Sequence, residues 1–391
     1  MNLVVGSLVA AALVVQDLPV TGSVVFGIQF VVLGTVFAAI AAVAAQITEN
    51  ARVASGLTGA AIGVAFTLRA AGDIGDGTLS WASPIGWVQK TRPFAGETWW
   101  PFLVAIAAAG AIAALAVWLT VHRDVGAGLL ASRAGPSRAT ASLGRPVGLA
   151  FRLQRASLLW WCVGVMALGL LYGSVADQID DFVEDNEAMR EFLAHSGSAS
   201  LTDSFLATTL LILALIGSGF AVQSVLRLRS EEVALRAELV LVAGASRRAW
   251  TASHLVVALA GSAVVVALGG CGVGLSYGVI VGDLGQVPRL AAAALVQLPA
   301  VWVLEGVAFV LFATSPRAAA VSWAALGFCF VVGFLGDVLD LPGWMRDVSP
   351  FEHAPLVPGE NFTIGPLIVT LLIVVALLST GGIAVERRDI L

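Results

Sequence analysis

The sequence predicts an all-α polytopic membrane protein with about ten transmembrane helices, and three observations lead there. Of its 391 residues, 58% are hydrophobic and only 12% are charged, whereas a soluble domain carries about a quarter charged residues. Mean hydropathy is +0.92. Long apolar runs recur along the chain, and about 20 such residues cross a hydrocarbon core about 30 Å thick as a helix.

The runs place spans at residues 2–16, 22–46, 57–73, 101–120, 158–176, 204–226, 253–282, 288–313, 318–336 and 365–385. The first resembles the apolar region of a signal peptide, but no basic residue precedes it, so a membrane span is expected. Charge in the connecting segments sets the orientation. Segment 122–157 holds Arg123, Arg133, Arg138, Arg145, Arg152 and Arg155 against Asp124, and is expected to be cytoplasmic. Segment 177–203 is acidic and is expected outside, whereas 227–250 returns five arginines to the inside. Arg317 and the tail "ERRDIL" agree with that alternation, which places both termini in the cytoplasm of a plasma-membrane protein.

A repeat organises the spans. "RAAGDIGDGTLSWASPIGW" (69–87) is echoed by "FLGDVLDLPGWMRDVSPF" (334–351). Arg52 pairs with Arg317 at an offset of 265, Asp73 with Asp337 at 264, Pro84 with Pro350 at 266 and Pro101 with Pro366 at 265. Six crossings separate the copies, so they share one orientation, as in transporters built from parallel repeats. The expected division is four spans of a first half in 1–121, an Arg-rich linker in 122–157 and a six-span second half in 158–391.

Each copy of the phrase precedes the last span of its half, on the outer side. Proline and glycine at that density interrupt a helix, and tryptophan favours the membrane interface. The expectation is a short re-entrant hairpin turning near Ser83-Pro84 and Ser349-Pro350, with Asp73 and Asp337 beside it. Two such hairpins would make an outer gate, and an ordinary surface loop is the alternative.

The segment "LRLRSEEVALRAELVLVAGASRRAW" (226–250) carries charges at helical spacing. Glu232 and Arg236 can pair at i, i+4. Leu235, Leu239 and Val242 share a face, and Gly244 is a stop signal. A short amphipathic helix over about 229–243 is expected on the inner side. Glu231, Glu232 and Glu238 disfavour anionic lipid as its target, which favours a groove on a soluble partner.

These residues carry a resemblance. "EEVALRAELVLVAGASRRAWTASHL" resembles the coupling-helix segment of ABC-2-type permeases. "LSWASPIGWVQKTRPFAGETWWPFL" resembles an actinobacterial group of polyketide-antibiotic exporters, the tetronasin type among them. The resemblance implies a membrane subunit of two six-span halves and a separate ATP-binding-cassette subunit, as a dimer, clamped on the coupling helices. Glu231, Glu232, Arg236, Glu238, Arg247 and Arg248 would then lie at the ATPase contact. Leu235 stands where related segments often have glycine, and "AGASR" where they often have proline. With ten spans expected, the first half lacks two spans and its own coupling helix. A chain shortened on its N-terminal side, a natural short form or half of a split permease would each account for that.

Enzymatic chemistry is not expected. A phosphate-binding loop needs Gly-Lys, and the only lysine, Lys90, follows Gln89. ATP would therefore be bound by the partner, with no cofactor or metal in this chain. Cys162, Cys271 and Cys329 lie in apolar runs as small core residues, and the four histidines show no ligand spacing. Ionisable groups within spans are functional candidates. Glu305 leads, followed by Arg69; Glu305 could bind a cationic substrate, pair with Arg69 or tie two helices. Gln223, Gln297 and His254 are weaker candidates. The function expected is export of hydrophobic or amphipathic small molecules. Its rivals are an ion-coupled secondary transporter, which needs several intramembrane acids, and a membrane scaffold that transports nothing.

Overall fold

The computed structural model describes residues 1–74, 77–122, 140–176, 201–336, 341–360 and 362–388. Every regular element among them is helical, so the chain is a polytopic all-α membrane protein. Seven of its helices are long and apolar enough to cross a membrane. The other three expected spans coincide with shorter apolar helices, Asn2–Val15, Val53–Arg69 and Ala318–Phe334. Asp337, the side chains of Arg52 and Asp73, Asp389, most of the acidic segment 177–203 and the linker arginines 123, 133 and 138 lie outside the described residues.

The chain divides into two compact units, Met1–Ser137 and Arg138–Leu391, and the division falls inside the Arg-rich segment 122–157. In the first unit α1 (Asn2–Val15) packs on α2 (Val20–Ile47), and α2 packs on α3 (Ala51–Ile74) and α5 (Trp100–Val121). The core is Val25, Val32, Val36, Phe102, Ala105 and Ala109, joined by Val88 from the first phrase. That phrase folds as a 3-10 turn over Leu79–Ala82, an extended Ser83, and α4 (Pro84–Gln89). Ser83 is a good N-cap: its hydroxyl accepts from the Ile85 amide at 3.2 Å and donates to the Ala65 carbonyl at 2.6 Å. Pro84 at N1 lacks only an amide that the helix would leave unbonded.

The second unit is built around α7 (Leu201–Val233), which packs against α6 (Pro146–Gly173), α9 (Arg247–Val281), α10 (Gln286–Val296), α11 (Leu298–Thr314) and α12 (Ser322–Leu335). The short α8 (Arg236–Val242) follows α7, α13 (Gly343–Arg346) opens the second phrase, and α14 (Gly365–Arg387) packs on α11. Cys162 and Cys329 are buried in the core and Cys271 is half-buried. The first span of this unit begins earlier than expected. Residues 146–157 are helical rather than linker, because Pro146 sits at N1 of α6 and starts the helix before the apolar run does. Gln297 and Pro299 interrupt what would be one span, separating α10 from α11. Proline has no amide to give and its ring crowds the carbonyl of residue i−4.

Helix α9 touches both neighbours through glycine. A Cβ at Gly272 would lie 2.5 Å from the Met166 carbonyl oxygen of α6, and one at Gly270 would lie 2.5 Å from that of Leu290 in α10. In a bilayer, where apolar contact alone gives helices no reason to associate, small residues at the seam allow backbones to approach and pack. Gly272→Ala is therefore expected to cost about 1–3 kcal/mol and to lower the melting temperature in detergent. Gly164→Ala, on the same pair of helices but with nothing within 4 Å, should leave it unchanged.

Two contacts inside the first unit recur inside the second. A Cβ at Gly6 would lie 2.5 Å from the Gly27 oxygen, as one at Gly270 does from Leu290; the offsets are 264 and 263. Gln29 Nε2 donates to the Val88 carbonyl at 2.7 Å, and Gln297 Nε2 to the Pro355 carbonyl at 3.5 Å; the offsets are 268 and 267. In each unit a glutamine from an apolar segment earlier in the chain thus bonds the backbone just past the phrase. The second phrase shares the extended serine before a proline, Ser349 followed by a 3-10 turn over Pro350–His353, but without the side-chain cap that Ser83 makes.

Candidate functional site

The charged residues of 227–250 gather at one end of the second unit, where α7 outlasts its apolar stretch. The chain there does not form one helix over 229–243. It breaks at Leu235, whose φ of 57° is left-handed, and restarts as α8 at Arg236. The break moves the ionic partners from their expected positions. Arg236 does not pair with Glu232. Its Nε and Nη2 donate to the two oxygens of Glu231 at 2.7 and 3.1 Å, and Arg227 Nε lies 2.7 Å from the same carboxylate. Glu231 is only 4% exposed, so this bidentate clamp fixes the start of α8 to the end of α7. The carboxylate beside it holds the Arg236 guanidinium above its ordinary value, chiefly through that hydrogen bond.

One side of α8 is seated and the other is bare. Ala237 is buried, and Val240 and Leu241 pack on a cluster formed by Val225, Leu228, Trp250 and Phe312. Leu235, Leu239 and Val242 face away, and Leu239 and Val242 are 72% and 88% exposed. Glu238 is exposed beside them. Gly244 ends the helix at φ 97°, with the amides of Gly244 and Ala245 bonded to the Leu241 and Val240 carbonyls at 3.0 and 3.3 Å. Glycine tolerates that conformation at no steric cost. Ser246 then caps α9 by accepting from the Ala249 amide at 3.1 Å.

Behind α8 is a cavity of about 200 Å³ lined by Leu149, Leu153, Trp250, His254, Glu231 and Arg236. Polar groups meet at its wall. Gln154 Nε2 lies 3.3 Å from His254 Nδ1 and Gln154 Oε1 accepts from the Ser224 hydroxyl, so α6, α7 and α9 share one buried network.

Arg247 and Arg248 are drawn toward the end of the chain. Arg247 Nη1 donates to the Arg388 carbonyl at 3.0 Å, and Arg248 pairs with Glu386. Glu232 receives Arg388 at 2.6 Å. Glu386 and Arg388 were missed in the sequence as site residues. They lie far along the chain from their partners, and the signal was only a pair of charges at the end of an apolar run.

Of the intramembrane candidates, Glu305 is wholly buried on α11. Its Oε2 accepts from Ser262 of α9 at 3.4 Å, and its Oε1 has no hydrogen-bond partner among the described residues. Trp302, one turn earlier, donates to the same Ser262 at 3.2 Å. Arg69 donates from Nε to Gln89 at 2.7 Å, and the Ser80 hydroxyl reaches its carbonyl at 3.5 Å. Arg69 therefore ties α3 to the first phrase, while the hydrogen bond of Glu305 ties α11 to α9. Ser83 and Ser349 are both buried, beside Pro84 and Pro350 at the starts of their turns. Gln297, also buried, bonds the backbone just past the second phrase, and Gln223 accepts from Trp161 and Ser157 at 2.7 and 3.2 Å.

Residues 143–385, which cover the spans of the second unit except the last two residues of α14, match the family described as "Multidrug efflux system permease Rv1217c, C-terminal domain". The multidrug efflux system permease protein Rv1217c of Mycobacterium tuberculosis (strain ATCC 25618 / H37Rv) is 44% identical over 391 residues, which is all of this chain and 71% of that relative. The chain belongs to this permease family. Membership makes it a transporter component rather than an enzyme, in keeping with the apolar helices. The family match spans α8 and its ionic clamp, the buried Glu305 and the second phrase of this permease, and stops just short of Glu386 and Arg388.

Proposed function

We propose that this permease is the membrane-spanning subunit of an ATP-driven ABC exporter of the ABC-2 type. It moves hydrophobic or amphipathic small molecules, drug-like or polyketide-antibiotic-like, outward across the plasma membrane. A separate ATP-binding subunit, acting as a dimer, seats on α8 at the cytoplasmic face, where both termini also lie. The name of the 44% identical relative supports drug efflux as the activity.

The observation that carries the reading is α8 itself. A seven-residue helix with two bare aliphatic side chains, and a third on the residue before it, is unstable alone in water; here it is pinned by a buried carboxylate. An apolar knob on an ionic base is a contact for a protein groove. Glu238, exposed beside the knob, disfavours an anionic lipid surface, whereas the charges of Glu231 and Glu232 are taken up by arginines. ATP closure of the partner would press on this knob, and the two phrases at the other ends of the spans would form the outer gate.

The test is co-purification of the chain with its ATP-binding partner, comparing wild type with Leu239→Asp/Val242→Asp. Both side chains are exposed, so abundance in the membrane should be unchanged while association falls at least tenfold. Full association of the variant refutes docking on α8. The ion-coupled alternative, which would draw on Glu305, predicts drug transport in vesicles that carry a proton or sodium gradient but no ATP-binding subunit; that result would replace the exporter reading.

A further inference from the structure

We propose that Arg388 is the positioning residue that transmits movement of the α7–α8 junction into α14, and through it toward the outer phrase. The proposal rests on the exporter reading and names a coupling element within it.

Arg388 immediately follows α14, in extended backbone, yet it is held from four directions. Its Nη2 donates to Glu232 Oε1 at 2.6 Å and its Nη1 to the Phe312 carbonyl at 2.6 Å. Its guanidinium lies over the Phe312 ring at 4.9 Å, and its own carbonyl accepts from Arg247 at 3.0 Å. Phe312 is two residues from the end of α11, so its carbonyl lacks a helical amide and carries the negative end of the helix dipole. From the end of α14, Arg388 therefore joins the ends of α7 and α11 through its guanidinium and the start of α9 through its carbonyl.

The geometry favours transmission over simple capping for three reasons. First, Arg388 and Glu232 are each 17% exposed, so water and salt weaken their attraction much less than that of Arg248 and Glu386, at 77% and 38%. Second, the other oxygen of Glu232 makes no hydrogen bond among the described residues, so Arg388 is that carboxylate's anchor. Third, Glu232 follows Glu231, the residue that clamps α8. Displacement of α8 must drag Glu231, then Glu232, then Arg388. Helix α14 has 23 residues, a rod of about 35 Å, and at its far end the chain runs back to the second phrase. A planar fork bonded to a carboxylate and a carbonyl carries both push and pull, which a lysine point charge would not.

The experiment uses the full chain with its ATP-binding subunit in membrane vesicles, reading ATP hydrolysis and drug export together. In Arg388→Glu the ATPase should still bind and hydrolyse within twofold of wild type, while export per ATP falls at least tenfold. Arg388→Gln, which removes the charge and shortens the side chain without introducing an opposite one, should fall about threefold at unchanged abundance; it decides the matter if Arg388→Glu is poorly inserted. Glu232→Arg/Arg388→Glu, which restores opposite charges, should recover export per ATP to within threefold of wild type. Wild-type export per ATP in both Arg388 variants overturns the link while leaving the exporter reading intact. Failure of the double variant to recover reduces Arg388 to a cap on α11. Failure of the wild-type chain to bind or respond to the ATPase removes the exporter reading, and the link with it.

Discussion

Glu231→Gln is expected to lower drug export by at least tenfold while the protein continues to reach the membrane. Glu231 is nearly sealed from water and holds two guanidinia, Arg227 at 2.7 Å and Arg236 through two bonds. Removing its charge leaves two like charges facing a neutral amide. Stripping one partner from a buried pair costs about 3–5 kcal/mol. The Arg236 side chain is 46% exposed and can turn to water, so about 2 kcal/mol is a fair figure here after screening. That is roughly a factor of 30 in the population of seated α8. The loss is expected to be local, because Leu206, Leu213, Phe220 and Val266, in the core of the unit, belong to a different hydrophobic cluster from Val225, Leu228 and Ala237 beside the clamp. Drug accumulation in cells, membrane abundance by blot and pull-down of the ATP-binding subunit are the readouts. Export within twofold of wild type would show that α8 needs no anchor.

Glu305→Met is expected to act in opposite directions on stability and transport. The carboxyl group lies in an apolar interior with a single long hydrogen bond to Ser262 and one oxygen unbonded. Burial of a polar group without full compensation is costly, and replacing buried charged groups with apolar ones of similar volume is often neutral or stabilising, by up to about 4 kcal/mol. Methionine fills the volume and asks for no partner. The melting temperature in detergent should stay level or rise by several degrees, since about 1 kcal/mol moves a unit of this size by about 2–4 °C. Export, of cationic drugs above all, should fall at least tenfold, because a costly group retained inside a membrane bundle is the kind of residue that meets substrate when the helices part. Glu305→Gln should reproduce the loss of export with little change in melting temperature. A lower melting temperature with normal export would mark Glu305 as a tie between α9 and α11 and nothing more.

Much of this architecture was legible because membrane helices are written locally. Every long apolar run became a helix, Ser83-Pro84 became a cap and first turn, and Gly244 stopped α8 where its φ required glycine. The bare face of Leu235, Leu239 and Val242 followed from three- and four-residue spacing alone. What failed was anything decided at a distance. Glu232 was matched to Arg236 because the two are neighbours on an unbroken helix. The break at Leu235 was signalled only by the resemblance, since related segments often have glycine there, a residue that takes positive φ freely, whereas leucine is itself a good helix former. Arg388 meets Glu232 only because α14 returns to the end at which α7 finishes. Gln297 was only a weaker candidate and Gln29 was not singled out; their shared role shows only when the carbonyl partners are seen to repeat at nearly the same offset, 267 against 268.

The glycine seams on both sides of α9 bear on how this unit can deform. Backbones in direct contact along a helix leave no compressible layer of side chains, so α6, α9 and α10 must travel as a single slab. Past Gln297 and Pro299 that constraint ends, and α11 joins the slab only by its own packing. Any tilt the assembly undergoes will therefore concentrate at this fulcrum, one buried glutamine away from the second phrase.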